Sequence, residues 1–467
     1  MLLSAQGGQF LLQTSATVAL ARILTPADFG LVSMVAVAMA LASAFRDSVL
    51  TVPTIQRTLL TRQEASSLFW LNALLNTALG LLVVLSGPIL ARFFGRPEVV
   101  GIAGGFAIAF VLSGVASQHQ ALLRRRMRFG ALAALQVIPQ IGNVAVSILL
   151  ALCGAGFWAL VAGALAAALL TPPLAVFFCR WIPSRPGPIG GIRDAMAFGA
   201  SLVGFNIVNY LARNLDRILI GRIHGPDLLG LYIRAYAIFM LPMSQVRDPI
   251  TQVALPALSA LRCEPLRFRN YYAHLVHALA CIVLPLSFYS ILEAEFIVGL
   301  VLGPQWAGAV PVYRWLAVAG LVQPTVSTAG LVLLSSGLAS RNLALGALNS
   351  GVVMLSFIVG LPYGITGVAM AYAAASWTMA LPTALIAFRG TPVLVREFLA
   401  AHRVPLLTAA ASVSAAVAAR AAWRGNESLG SWVSLVAWAA VFVALTISRR
   451  TVREAVAEIF QRSRVQL

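Results

Sequence analysis

Charge is scarce in this sequence, and lysine is absent from it. Only 10% of the 467 residues are charged, against about 25% in an ordinary soluble domain, and that is too little to clothe a water-facing surface. Cysteine is nearly missing as well. Cys153, Cys179, Cys263 and Cys281 form no CxxC pair, which argues against a zinc site and a disulfide framework alike. No GxxxxGK[ST] loop occurs and no long polar stretch is present to house a nucleotide domain, so ATP hydrolysis is excluded. Nucleic-acid binding would need the 33 arginines gathered on such a polar domain, which the chain also lacks.

What the chain has is apolar length, with 60% hydrophobic residues and a mean hydropathy of +0.88. A membrane-crossing helix needs about 20 mostly apolar residues. Stretches of that kind follow one another near 3–21, 30–55, 66–91, 99–121, 129–152, 156–179, 195–219, 229–256, 273–301, 309–334, 342–361, 366–388, 405–422 and 430–447. They are continuous runs, unlike barrel strands, which alternate over about 10 residues. The sequence therefore reads as an all-α polytopic membrane protein with about 14 transmembrane helices.

The arginines orient it. With a cytoplasmic N-terminus, 21 fall on the inner side, including Arg124 to Arg126 and the tail from Arg449, and 7 on the outer side. That bias follows the positive-inside rule and sets both termini in the cytoplasm. The opening residues lack the basic n-region and the cleavage site of a signal peptide, so a retained first helix is expected. The tail after Ser448 spaces Val452, Val456, Ile459 and Phe460 among arginines, which predicts a helix lying along the inner membrane surface.

Two decapeptides match. RILTPADFGL at 22–31 and RIHGPDLLGL at 222–231 share Arg, Ile, Pro, Gly and Leu at the same offsets, which is a duplication signal. Arg46 and Asp47 recur one residue out of step as Arg247 and Asp248. The expected organisation is two six-helix lobes with pseudo-twofold symmetry, 1–180 and 181–390, followed at 391–467 by two extra transmembrane helices and a basic cytoplasmic tail. Such a seam between repeats is where secondary transporters place their substrate path.

Ionisable residues inside apolar spans point to that path. Arg46 lies about 16 Å along its helix from the loop at Arg57. Neighbours on a helix do not face each other, so Arg46 and Asp47 are expected to have separate partners. Arg213, Asp216 and Arg217 with Asn209 and Asn214 form a polar stripe in the seventh span, and Arg234 and Arg247 stand near the two ends of the eighth. Arginine is suited to phosphate, because its planar fork offers several donors and stays charged. Arg46, Arg213, Arg217, Arg234, Arg247, Asn209 and Asn214 are therefore the candidate substrate-binding set, with Asp47, Asp216 and Asp248 as charge-pairing or coupling residues. Structural helix locking is the alternative for these charges. Glu293 and Glu295 read as headgroup contacts or, alternatively, as proton or sodium sites.

The segments ARILTPADFG at 21–30, RDSVLTVPTIQR at 46–57, NLDRILIGRIHGPDLLGLYIRAYAIFMLP at 214–242, PALSAL at 256–261 and LGPQWAGAVPV at 302–312 resemble the polysaccharide-transporter family of bacterial flippases. This is the superfamily that also holds lipid II flippases and multidrug extruders. The resemblance implies translocation of an undecaprenyl-pyrophosphate-linked oligosaccharide from the cytoplasmic to the periplasmic leaflet of the inner membrane. It also implies alternating access, membrane lipids as neighbours and a polysaccharide polymerase and co-polymerase as partners. It brings no enzymatic step, metal or cofactor. A coupling ion, proton or sodium, stays open. One departure stands out, since SQVRDPI at 244–250 carries charges where the family has a polar, uncharged stretch.

Three rival readings remain at this stage. A multidrug or small-solute extruder of the same fold would suit a carboxylate-lined path, whereas the candidate set here is net positive. A polymerase or glycosyltransferase would need a sizeable extramembrane loop or an acidic cluster. A non-transporting scaffold would leave the intramembrane arginines without a substrate.

Overall fold

The computed structural model is helical throughout and contains no strand among its described residues, which are 2–56, 61–187, 192–423 and 425–448. By its contacts the chain divides into two compact units, Met1–Leu231 and Tyr232–Leu467.

The first unit contains α1 (Leu2–Ile23), α2 (Pro26–Gln56), α3 (Arg62–Phe94), α4 (Glu98–Arg125), α5 (Phe129–Leu152), α6 (Phe157–Cys179) and the opening part of α7 (Ile192–Ala260). Local chemistry sets these ends. Thr61 and Glu64 exchange side-chain-to-backbone bonds at the start of α3, and Gly95 closes it in the left-handed region at φ 68°, a capping box and a glycine stop on one helix. Arg126 and Arg128 each donate from Nη1, to the Cys179 and Phe178 carbonyls. They thereby satisfy acceptors left over at the end of α6. The α3 and α4 helices pack side by side, α4 and α5 pack on α6, and α2 lies against α3, α4 and α6. Between α3 and α4 the buried Asn72 donates to Gln118 Oε1 at 3.1 Å, and Asn76 donates to the Asn72 carbonyl at 2.7 Å. Phe69, His119 and Trp181 stack edge-on nearby.

The second unit holds the rest of α7, then α8 (Pro265–Leu292), α9 (Ala294–Val301), a 3-10 turn (Pro304–Ala309), α10 (Val310–Gly320), α11 (Gln323–Val326) and α12 (Ala329–Ser335). It is completed by α13 (Ala339–Gly360), α14 (Gly364–Phe388), α15 (Val395–Ala401), α16 (Arg403–Ala422) and α17 (Glu427–Ser448). Helix α8 is its centre, with α10, α15 and α16 packed on it. Its inward face joins Phe268, Tyr272 and Leu275 to Leu258, Val332 and Phe388 in one apolar core.

The expected count of fourteen crossings does not stand. Among the described residues eight helices are long and apolar enough to cross a membrane, and nine if the bent pair Pro304–Gly320 and Gln323–Ser335 is one span. The differences have physical causes. Gln6, Gln9 and Gln13 dilute the apolar character of α1. The seventh and eighth spans fall in α7, a 69-residue helix broken in conformation at Gly225 (φ 81°, ψ −177°) and interrupted by Arg213, Arg217, Arg222, Arg234 and Arg247. The eleventh and twelfth join through the single turn Leu361–Tyr363 into one 50-residue stretch, and the last apolar helix is the short Leu429–Leu445. The arrangement of two six-helix lobes plus two helices rested on that count and falls with it. The tail after Ser448 lies outside the described residues.

Candidate functional site

The repeated decapeptides meet. Pro26 is the first residue of α2, and Pro226 follows the break at Gly225, so each proline opens a helical run, where its missing N–H is no loss. One turn later in each run stands a glycine. A methyl group on Gly30 would overlap the Pro226 carbonyl, and one on Gly230 would overlap the Pro26 carbonyl. The contact is reciprocal, backbone against backbone, with each copy supplying the proline that the other's glycine receives. The first copy is capped, since Thr25 donates from N and Oγ1 to Asp28 Oδ2 at 2.9 and 2.7 Å. The second has Gly225 in that place, with backbone angles only glycine adopts at little cost.

Beyond this contact the candidate residues divide between the units. In the first, the Arg46 guanidinium lies over the Phe110 ring of α4, 5.1 Å from its centroid, a cation–π arrangement that steadies a charge in an apolar helix. Arg222 lies over Phe93 at 5.6 Å. Asn214 is buried and donates to the Tyr210 carbonyl one turn back at 2.9 Å, and the buried Asp216 accepts from the Arg217 backbone N–H at 2.8 Å. The side chains of Asp47, Asn209 and Arg213 lie outside the described residues. Arg213 and Asp216 are three apart and their spacing would let them pair, but that pairing lies outside the described residues too.

In the second unit Arg234 is half-buried, and Arg247 is bound by its own neighbour. Its Nε and Nη2 donate to Asp248 Oδ1 at 3.0 and 2.9 Å, with the two side chains 35% and 49% exposed. Adjacent residues do not share a helix face, yet arginine is long enough to fold back over the next carboxylate at a part-exposed site. The charged SQVRDPI segment thus carries an internal ion pair.

Sequence reasoning missed the role of Glu293. Its side chain is 1% exposed, and both carboxylate oxygens accept from Arg420 Nη1 of α16 at 2.9 Å. Ser434 of α17 donates to the same carboxylate at 3.0 Å. The Arg420 guanidinium is the partner of this acid. The partners lie 127 and 141 residues away, so no local pattern announces them. Glu295 reaches Arg314 at the surface at 3.4 Å. No group of His, Cys, Asp and Glu suited to a metal exists among the described residues.

Comparison with known proteins gives these features a context. The family described as "Polysaccharide biosynthesis protein" matches residues 19–311. The chain is 28% identical over 291 residues to the teichuronic acid biosynthesis protein TuaB of Bacillus subtilis (strain 168), covering 61% of this chain and 59% of that one. It is 26% identical over 323 residues to the lipopolysaccharide biosynthesis protein WzxC of Escherichia coli (strain K12), covering 68% and 65%. These matches thus span about three-fifths to two-thirds of the relatives' own length. Among solved structures, the lipid II flippase MurJ in an inward closed conformation superposes with a TM-score of 0.75 at 12% identity, covering 95% of this chain and 97% of that one. The fold is shared; the sequence is far diverged.

Proposed function

We propose, for a chain that belongs to the polysaccharide biosynthesis protein family, that it carries a polyprenyl-pyrophosphate-linked oligosaccharide from the inner to the outer leaflet of the bacterial inner membrane. The observation that carries this reading is the surplus of arginine inside apolar helices. Arg46, Arg217, Arg234 and Arg247 sit among half-buried positions, and an anionic diphosphate is the ligand that best rewards several guanidinium forks in a poorly solvated setting.

The barrier to flipping is dehydration of the glycan and diphosphate. A polar path through the protein removes it, while the isoprenoid chain stays in lipid. Arg46, steadied on Phe110, and Arg247, held by Asp248, serve as diphosphate donors, each within its own unit; Arg213, Arg217, Arg234, Asn209 and Asn214 are the further candidate substrate contacts. Asp47, Asp216 and Asp248 moderate their charge. Alternating access would open this path to each side in turn. A polymerase and co-polymerase would take up the delivered unit, and no covalent step belongs to the cycle. Support comes from the relatives named for teichuronic acid and lipopolysaccharide biosynthesis and from the fold shared with a lipid II flippase.

The test is translocation of lipid-linked oligosaccharide in proteoliposomes, read with a membrane-impermeant glycan-modifying enzyme. The wild-type chain should expose the glycan. Arg46→Gln with Arg247→Gln should slow exposure by at least about tenfold, as the loss of two charge-assisted contacts implies, at unchanged protein level. Full activity in the double variant would remove these residues from the substrate path.

A further inference from the structure

Two helices of the first unit stop in a way the other described helices avoid. Helix α4 closes with the Arg128 N–H on the Leu123 carbonyl and the Met127 N–H on the Arg124 carbonyl, both at 3.0 Å. This puts Met127 in the left-handed region at φ 53°. The same pair of bonds closes α5 at Gly154 and α12 at Gly337, where glycine takes that conformation without a Cβ penalty. Arg180 holds the left-handed position at the end of α6, at φ 50°. Met127 and Arg180 are the only non-glycine residues with positive φ among the described residues. A side chain kept where glycine would serve the fold better points to a use outside the fold.

The two positions adjoin. The neighbours of Met127 on both sides grip the residues just before Arg180, with Arg126 Nη1 donating to the Cys179 carbonyl at 3.0 Å and Arg128 Nη1 to the Phe178 carbonyl at 2.9 Å. Each guanidinium carries further N–H donors beyond the one so used. The segment after Arg180 is stitched to the start of α3. Ser184 donates from N and Oγ to Ser66 Oγ at 3.0 and 2.9 Å, and the Gly187 N–H donates to Ser67 Oγ at 2.7 Å. Arg62 lies one turn before Ser66 and Arg185 follows Ser184, so three stretches remote in sequence build one basic end. Arg62, Arg124, Arg126, Arg128, Arg180 and Arg185 are all exposed, and among the described residues none of the six is in an ion pair. The single acid of 61–70, 119–130 and 178–187 is Glu64, which accepts from Thr61 in the cap of α3. Apolar side chains share this end, since Met127 is 69% exposed and Phe177 and Ile182 are exposed with it. The helices that begin or end here, α3, α4, α5 and α6, are long and apolar enough to cross a membrane, which sets their ends at headgroup depth.

We propose that this end of the first unit binds an anionic phospholipid headgroup, with Arg126, Arg128 and Arg180 on the phosphate and Met127 against the acyl chains. Guanidinium forks match phosphate, and an unbranched thioether side chain adapts to a mobile apolar surface. The partner is a lipid of the surrounding bilayer rather than an acidic protein, because the charges stand beside exposed apolar side chains at the depth where headgroup and acyl chain meet. None of these residues belongs to the candidate substrate-binding set, and the proposal does not depend on the transport reading.

The experiment titrates the purified full chain in detergent with phosphatidylglycerol or with phosphatidylcholine, reading bound lipid by native mass spectrometry and stability by thermal unfolding. Phosphatidylglycerol should bind with a saturating rise in the unfolding midpoint, and phosphatidylcholine should not. Arg180→Gly should weaken phosphatidylglycerol binding by about fivefold, the share of one arginine at an anionic surface, and Met127→Gly should weaken it as well. Both variants should keep or raise the midpoint measured without lipid, since glycine relieves the left-handed strain. Removing charge at the far end of α3, with Arg92→Gln and Arg96→Gln, should leave binding within about twofold, because that end lies away from the site. Equal binding of the two lipids would overturn the proposal and leave the basic end to an acidic protein. A loss from the Arg92 and Arg96 pair as large as that from Arg180→Gly would reduce the effect to net charge and overturn it too. So would a fall in the lipid-free midpoint of either glycine variant, which would show its side chain to be packed for the fold.

Discussion

At Gly30 even a methyl group has nowhere to go. The Pro226 carbonyl fills the space, and Pro26 does the same to Gly230. Forcing a methyl into packed surroundings costs about 1–3 kcal/mol, so Gly30→Ala and Gly230→Ala should each lower stability by that amount in denaturant melts of the detergent-solubilised protein. Because both act on one contact, the double variant should lose less than the sum of the two. Additive losses would show that the two glycines are energetically separate. The decapeptide repeat was plain in the sequence, but the contact was not, since likeness between two segments says nothing about whether they touch. Arg247 and Asp248 taught the opposite lesson. Helical geometry denies neighbours a shared face, yet a flexible four-bond side chain at a part-exposed position found its neighbour anyway.

Among the elements, α16 and α17, already packed on α8, are further tied to its end by one buried carboxylate, Glu293. Deleting one partner of a buried ion pair costs about 3–5 kcal/mol; with Arg420 46% exposed and able to hydrate, a loss nearer ~2 kcal/mol is expected for Glu293→Ala, after discount for solvent screening. Hydrogen exchange should rise in α16 and α17 and stay level in α3 and α4, whose buried amide network belongs to the other unit. Uniform loosening of the whole chain would refute a local clamp. The apolar run over α8 was legible as a helix. The acid at its end was not legible as a clamp, because its partners are remote in sequence. Span counting erred for a related reason: hydropathy finds apolar length but does not register that arginines interrupt α7 or that one turn at Leu361–Tyr363 joins two runs into one stretch.

For the molecule as a whole, membrane residence followed from composition alone, and the proposed anionic cargo has a consequence at the same scale. Thirty-three arginines against 15 acids disfavour cationic drugs as substrates by simple repulsion. Expression in a drug-sensitive bacterial host should therefore leave the inhibitory concentrations of cationic dyes and antibiotics unchanged within about twofold, the scale below which a charge effect is not discernible. A marked rise in resistance would favour the extruder reading. Of the candidate arginines, the depth along a helix can be counted from the sequence, but the direction of a side chain cannot.

The Gly–Pro interlock has one more consequence. A segment able to receive its own copy is adhesive to itself, in the way of the self-complementary patches that join identical subunits. A shorter chain bearing one decapeptide would have to find a second molecule to complete the contact, at a rate set by its abundance. With both copies on one chain the partner is always at hand at a fixed effective concentration, and the contact no longer depends on how much protein the cell makes.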